Sequence, residues 1–233
     1  MLCLLFSPVT LQDARLLLIR HGRTEMNEHL AANPFTTGFK DPGFFDTELT
    51  RVGQQQAQQL RLRMSGLPRV DTLISSPLRR ALHTAEIVFE GADVARRIVT
   101  PLAAERLFLS SDVGSPVAEL AARFDTWQIQ ETLQERWWFQ GDERAPEWRP
   151  AGTYLVPGEP QQAFAERMNQ LIRFLQSVEP SPCVSGGTGC VALVCHAEVI
   201  YALTGKNVDN CALVDTQMSE LSESVTGYIL EWT

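Results

Sequence analysis

The 233-residue sequence lacks the marks of several protein classes. No apolar run approaches the roughly 20 residues that a membrane-spanning helix needs. Its five cysteines form no C-x-x-C pair, which argues against a zinc site or a thioredoxin-like motif and favours free thiols in a reducing compartment. The glycines of SGGTGC are not followed by the Lys-Ser/Thr of a P-loop. We therefore expect a cytoplasmic protein without a cofactor or a bound metal, and without membrane partners.

Positive charge is also scarce. The chain has 28 acidic and 20 basic residues, which gives a formal net charge of −8. Binding to nucleic acid or to an anionic membrane would need a basic surface, so neither partner is expected. An anionic small molecule would have to be held by a local cluster of arginine and histidine side chains. The composition indicates nothing about the oligomeric state.

Short apolar runs alternate with helical periodicity along the chain. Strands buried on both faces are predicted at RLLLIR (15–20), VDTLIS (70–75) and CVALVC (190–195). Weaker strand signals lie at 98–100, 211–214 and 228–232. Helices are predicted from Thr50, from the Ser76-Pro77 pair with Ser76 as the N-cap, and between Phe164 and Val178. This alternation predicts an α/β fold with three layers, α/β/α, around a mostly parallel central sheet.

The stretch after the third predicted strand differs from the rest. It contains four of the five tryptophans and ends in a segment rich in proline and glycine. We expect a helical insertion there, at about residues 106–156. No break in composition and no repeat divides the chain, so a single domain over residues 1–233 is predicted.

Polar residues follow three of the predicted strands. Arg20 and His21 come after the first strand, Ser76 and then Arg79 after the second, and His196 after the strand at 190–195. The carboxyl ends of parallel strands meet at one edge of a sheet, where ligands of α/β proteins bind. Two arginines and two histidines at such an edge suit a phosphoryl dianion. A neutral imidazole there can also attack phosphorus.

The segment LLLIRHGRTEMN resembles the signature of the histidine phosphatase superfamily, also called phosphoglycerate mutase-like. Four further segments match in the family's order and span most of the chain: LTRVGQQQA, LISSPLRRALHTAEI, LAAERLF and LVCHAEVIYALTG. The R-H-G triplet alone is a weak signal, whereas the ordered set is specific. The resemblance implies a metal-independent phosphomonoester hydrolase that acts on a small phosphorylated metabolite.

The resemblance also implies roles for individual residues. His21 matches the nucleophile that becomes phosphohistidine, and Glu105 matches the acid that protonates the leaving oxygen. The rest of the phosphate pocket is matched by one further set of residues: Arg20, Arg79 and His196, with Asn27 as an amide that touches the phosphate and Thr24 near the pocket edge. The tryptophans of the predicted insertion are expected to form its core.

Three points stay open at this stage. The segment His196-Ala197-Glu198 departs from the family's usual pattern and resembles its acid-phosphatase branch, which makes Glu198 a rival general acid with an expected raised pKa. A phosphoglycerate mutase would share the first half-reaction, but the mutase stretch Y-G-x-L-x-G-x-N-K is replaced here by RLFLSSDVG after the acid. A non-catalytic protein that binds phosphorylated ligands is the third reading.

Overall fold

The computed structural model describes residues 14–35, 39–64, 66–140, 155–156, 158–178, 190–221 and 225. Within these residues five strands form one sheet in the order β3-β2-β4-β1-β5. They are β1 Arg15–Arg20, β2 Val70–Ser75, β3 Arg96–Val99, β4 Cys190–Cys195 and β5 Leu213–Gln217. Strands β1 to β4 are parallel, and β5 pairs antiparallel with β1. The predicted α/β fold with a mostly parallel sheet is confirmed.

Helices connect the strands and cover the sheet. The described helices are α1 Glu25–Ala32, α2 Arg51–Met64, α3 Arg79–Val88, α4 Val117–Arg123, α5 Ile129–Thr132, α6 Gln161–Ser177 and α7 Ala197–Thr204. Short 3-10 turns lie at Pro101–Ala103, Ser110–Asp112 and Met218–Glu220. No helix in the described part of the chain is long and apolar enough to cross a membrane.

Side chains of the central strands alternate between the two faces of the sheet, as the pleat requires. In β1, Leu17 and Ile19 pack into the core that includes residues of α2 and α3. Leu16 and Leu18 point to the opposite core, which includes residues of α6 and α7. Because both faces are covered, the uninterrupted apolar runs of β1 and β4 are buried. This arrangement produces the three predicted layers.

The segment between β3 and β4 contains α4, α5 and α6. Trp127 and Trp137 are buried in the core on the α2 and α3 side, so the insertion packs on that face of the sheet. Residues 141–154 and the predicted strand at 228–232 lie outside the described residues. The limits 106–156 of the insertion and the single-domain reading stay predictions.

Some element boundaries differ from the prediction. Strand β3 begins at Arg96 rather than at Ile98, and β5 occupies 213–217 rather than 211–214. The backbone of Cys211 has a φ of 56° and its N–H faces the carbonyls of Arg20 and His21, at 3.1 and 3.2 Å. This turn keeps Cys211 out of the strand ladder, so β5 starts two residues later.

Candidate active site

A cavity of about 570 Å³ lies where β1, β2 and β4 end. Six of the residues that the sequence predicts for the site line it: Arg20, His21, Thr24, Asn27, Glu105 and Glu198. His196 is fully buried beside them, with its ring centre 5.1 Å from that of His21. The strand ends therefore bring together the set that their sequence positions predict, with one exception at Arg79.

His21 follows β1 directly and is held by the sheet, because its backbone N–H donates to the carbonyl of Cys195 at 3.0 Å. Its Nδ1 lies 2.7 Å from the carbonyl oxygen of Gly22. A carbonyl only accepts hydrogen bonds, so this contact assigns the ring proton to Nδ1 and leaves the lone pair on Nε2. Burial, then the charges of Arg80 and Arg20, lowers the pKa of His21 well below its usual value. The ring is neutral at pH 7.

The loop after His21 is packed tightly against the start of α2. A Cβ on Gly22 would lie 2.6 Å from the carbonyl oxygen of Gly53, and a Cβ on Gly53 would lie 2.1 Å from that of Arg23. Only glycine permits this approach of the two backbones. The N–H of Gly22 also donates to Thr84 Oγ1 at 3.0 Å, which ties the loop to α3.

His196 occupies the N-cap position of α7. Its Nε2 lies 2.8 Å from Ser76 Oγ, and within the described residues its buried Nδ1 has no hydrogen-bond partner. Burial, followed by the charge of Arg80, lowers the pKa of His196 well below its usual value. Ser76 was expected to cap α3, but Leu78 takes the N-cap position and the Ser76 hydroxyl contacts His196 instead.

Arg20 and Arg80, two of the arginines that line the cavity, come from different elements. Arg20, the last residue of β1, donates from Nη1 to the carbonyl of Val208 at 2.6 Å, and burial lowers its pKa. Arg80 is 4 % exposed and donates to the carbonyl of Ser111 at 2.6 Å and to Asp112 Oδ1 at 2.8 Å. Neither Arg80 nor Asp112 was predicted for the site.

The prediction that Arg79 belongs to the phosphate pocket is wrong in its placement. Arg79 does not line the cavity; its Nε and Nη2 donate to the carbonyl of Asp46 at 2.9 and 2.6 Å. Its Nη1 lies 3.1 Å from Glu48 and 3.4 Å from Glu119. Helix α3 begins at Arg79, and neighbouring helical residues point about 100° apart, so Arg80 faces the cavity in its place.

Thr24 and Asn27 form a capping box at the start of α1. Thr24 Oγ1 accepts from the N–H of Asn27 at 3.2 Å, and Asn27 Oδ1 accepts from the N–H of Thr24 at 3.1 Å. Asn210, which no sequence signal indicated, donates from Nδ2 to Asn27 Oδ1 and to the carbonyl of His21, both at 3.1 Å. Since its Oδ1 already accepts two bonds, Asn27 presents its amide N–H groups as donors.

Two carboxyl groups face the same cavity. Burial, reinforced by the charge of Asp112, raises the pKa of Glu105 to about 7. Burial and the charge of Glu105 raise the pKa of Glu198 to about 8. The pKa of Glu198 is therefore raised, as expected, and the pKa of Glu105 is raised as well. Arg106 Nη1 lies 3.9 Å from Glu198 Oε2.

The loop that carries Glu105 is clamped by the ion pair of partly buried Arg167 with buried Glu159. Arg167 of α6 donates from Nη1 to the carbonyls of Leu102 and Ala104, both at 2.8 Å, and from Nη2 to that of Glu105 at 3.4 Å. Its Nε donates to Glu159 Oε1 at 2.9 Å, and the Glu159 backbone N–H donates to the carbonyl of Leu107 at 2.7 Å. The pair thereby holds both sides of the Glu105 position.

The cysteines and carboxylates form no metal site in the described part of the chain: no group of three His, Cys, Asp or Glu side chains has a suitable arrangement. Cys190, Cys195 and Cys211 are buried thiols, with no disulfide among the described cysteines. Burial raises the pKa of Cys211 to about 12 and that of Cys195 further still, so neither is a nucleophile at neutral pH.

This fold and the R-H-G pocket at its strand ends define a known class. The family model described as histidine phosphatase superfamily (branch 1) matches residues 16–220, and the chain belongs to this superfamily. The family predicted from the five ordered motifs is confirmed, and with it the assignment to a class of phosphatase enzymes.

Curated relatives and solved structures agree with this class. The chain is 29 % identical over 211 residues to a glucosyl-3-phosphoglycerate phosphatase of Mycolicibacterium vanbaalenii, which covers 84 % of this chain and 76 % of that one. It is 39 % identical over 88 residues to an adenosylcobalamin/alpha-ribazole phosphatase of Salmonella typhimurium, covering 38 % and 39 %. A mycobacterial glucosyl-3-phosphoglycerate phosphatase solved with VO3 has the same fold, with a TM-score of 0.54, 22 % identity and coverage of 89 % and 95 %.

Proposed function

We propose that this chain is a metal-independent phosphomonoester hydrolase that forms a phosphohistidine at His21 and acts on a small phosphorylated molecule. One observation carries the proposal: the 2.7 Å contact of Nδ1 with the Gly22 carbonyl. It leaves Nε2 unprotonated on a ring that lines a cavity shared with Arg20 and Arg80. A neutral imidazole beside two cations combines a nucleophile with charge stabilisation for its target.

The reaction has two displacement steps. His21 Nε2 attacks phosphorus, the bond from phosphorus to the ester oxygen breaks, and the leaving oxygen takes the proton of Glu105. Water then attacks the phosphohistidine, Glu105 accepts a proton from that water, and the P–N bond breaks to release inorganic phosphate. The raised pKa of Glu105 supports this double role, because a carboxyl with a pKa near 7 both donates and accepts at neutral pH.

The charge that develops on the phosphoryl oxygens is met by donors around His21. Arg20 and Arg80 supply cationic N–H groups, and Asn27 supplies an amide N–H. His196 contributes through Nδ1, the ring nitrogen that is not engaged with Ser76. Thr24 acts indirectly in this account, because its hydroxyl is used to cap α1 and so orients Asn27.

Glu198 remains the rival for the proton-transfer role. It lines the same cavity and has a pKa raised to about 8. We assign the role to Glu105 because LAAERLF matches the family's acid motif and because the Glu105 loop is clamped by Arg167 and Glu159. Phosphoryl return to the substrate, as in a mutase, would need the same first step and an alcohol in place of water.

The proposal is tested by hydrolysis of p-nitrophenyl phosphate in the presence of a chelator, with wild type, His21→Ala and His83→Ala side by side. His83 lies on α3 outside the cavity lining and serves as the matched control. We expect activity in wild type and in the control, and none in His21→Ala. An active His21→Ala variant, or loss of wild-type activity in chelator, would contradict the mechanism.

A further inference from the structure

The cavity extends well beyond the space that a phosphoryl group occupies. Its volume of about 570 Å³ is in the range of pockets that enclose whole small molecules, so the remainder is available to the leaving group. The described residues along that remainder are mostly apolar and come from α1, its following turn and the loop after Glu105: Leu30, Ala31, Pro34, Phe35, Phe108 and Leu109.

Two phenylalanines dominate this apolar wall. The rings of Phe35 and Phe108 are 5.8 Å apart and meet edge to face at 85°. Phe35 also packs against Phe39, with ring centres 4.7 Å apart. Behind them Met26 and Leu109 are buried in the same small cluster, which is separate from the two cores of the sheet. The wall is therefore a packed aromatic surface built at the cavity.

Among the described residues of the insertion, Trp127, Trp137 and Trp138 do not line this cavity. Trp137 and Trp138 line a second, smaller cavity of about 220 Å³, which Glu105 also lines. The aromatic character of the leaving-group space comes instead from the turn after α1 and from the loop at residue 108.

The charged residues of the cavity suit one anionic group rather than two. Of the four arginines that line it in the described part of the chain, three already have a carboxylate within 4 Å: Arg23 with Glu28, Arg80 with Asp112, and Arg106 with Glu198. Neither Lys40 nor Lys206 lines the cavity. A carboxylate or second phosphate on the leaving group would meet the charge of Asp112 in that cavity, and like charges repel.

From this wall we propose, resting on the hydrolase function above, that the substrates are phosphomonoesters whose leaving group carries an uncharged, apolar ring. The ring lies against Phe35 and Phe108 while the phosphoryl group lies at His21. Leaving groups that carry a carboxylate or a second phosphate are disfavoured. Burial of the ring supplies selectivity, since apolar area removed from water stabilises the complex.

The test compares three esters of primary alcohols: benzyl phosphate, glycerol 3-phosphate and 3-phosphoglycerate. We expect kcat/KM to fall in that order, with benzyl phosphate ahead of glycerol 3-phosphate by about tenfold or more, the scale on which a hydrophobic pocket discriminates. A value for 3-phosphoglycerate equal to or above that for benzyl phosphate would overturn the inference.

Substitutions of the two phenylalanines test whether the apolar wall is the source of the selectivity. Phe108→Ala and Phe35→Ala should each lower kcat/KM for benzyl phosphate about tenfold while glycerol 3-phosphate changes by less than about twofold. Phe108→Leu, which keeps apolar bulk, should restore part of the loss. Phe45→Ala is the matched control, because Phe45 is 54 % exposed and outside the cavity lining. An equal loss on both esters in the Phe108 and Phe35 variants would contradict a specificity role.

The outcomes separate this inference from the function on which it rests. His21-dependent hydrolysis of p-nitrophenyl phosphate together with a preference for 3-phosphoglycerate would overturn the substrate class and leave the hydrolase intact. Hydrolysis of none of these esters by wild type would overturn the hydrolase itself, and the substrate class with it.

Discussion

The two ends of the cavity are built in different ways. The phosphate end is made of residues at strand ends, where backbone hydrogen bonds of the sheet set positions: the His21 N–H donates to Cys195 and the Ser76 N–H to Val194, both at 3.0 Å. The leaving-group end is made of α1, the turn after it and a loop whose carbonyls are held by Arg167. None of the described strands supports the second end.

This difference explains what each end can do. Donors held by a sheet need little rearrangement to meet charge on a phosphoryl group, which favours catalysis at the first end. The second end can vary in side chains without disturbing the sheet, which allows specificity to change. Substitutions at the phosphate end should therefore lower the rate of catalysis, whereas substitutions at the leaving-group end should change specificity. Kinetic measurements on variants test this difference.

After the loss of the nucleophile His21, the largest effect is expected at the proton donor where the two ends meet. Glu105→Gln should slow hydrolysis of an alkyl phosphate ester by about a hundredfold or more, because the leaving alkoxide loses its acid. Glu198→Gln is the matched comparison and should cost much less. Steady-state kcat on benzyl phosphate measures both, and the reverse order would move the acid role to Glu198.

Neighbouring arginines on α3 should separate catalysis from folding. Arg80→Ala should lower kcat/KM about a hundredfold, the usual scale for removing a charged donor at a developing anion. Arg79→Ala should retain activity but lose about 2 kcal/mol of unfolding free energy, because Asp46 is buried and loses its guanidinium donors. Denaturant unfolding measures the stability of both variants, and vanadate inhibition measures their binding at the phosphate site. Equal vanadate inhibition of Arg80→Ala and wild type would remove Arg80 from the phosphate site.

Arg79 and Arg80 also show which parts of the site could be predicted from the sequence. The ends of the strands could be located from their apolar runs. The sequence therefore predicted that Arg20, His21 and His196 meet at one edge of the sheet. Which of two adjacent arginines faces inward depends on the residue where α3 starts, and Ser76 was expected to be its cap. The Ser76 hydroxyl instead contacts His196, a residue far away in the chain, and no local pattern predicts that contact.

Residues on loops could not be predicted in the same way. Asn210 reaches Asn27 across the turn before β5, and no periodicity or motif marks it. Glu105 was found only through a resemblance of its motif, although Arg167 and Glu159 decide where it lies. The Phe35 and Phe108 contact likewise joins two segments whose approach is set by tertiary packing.

A smaller effect is expected when the Glu105 loop loses its clamp. Arg167→Met removes the donors to the carbonyls of Leu102 and Ala104 and should lower kcat about tenfold with little change in KM. A role in positioning Glu105 predicts that the alkaline limb of the pH profile also moves. Arg173→Met, on the same helix and outside both cavities, is the control. An unchanged kcat would show that the clamp serves stability alone.

The smallest expected effect is a change of kcat/KM with pH. Because the pKa of Glu105 is raised to about 7, its acid form is present below that pH and is lost above it. The value of kcat/KM should therefore fall above about pH 7. It should not fall between pH 7 and 6.5, because the lowered pKa of His21 keeps the nucleophile neutral there. The alkaline limb should weaken in Glu105→Gln, and its persistence would assign it to another group.

The central claim, that His21 carries the phosphoryl group, is tested most directly by trapping. Wild-type protein mixed with benzyl phosphate or p-nitrophenyl phosphate and quenched in alkali within the first turnovers should show the mass of one added phosphoryl group, located on the peptide that contains His21. The bond should be lost in acid, as phosphoramidates are, and absent from His21→Ala. Turnover without any such species, or a phosphoryl group found on another residue, would contradict the account.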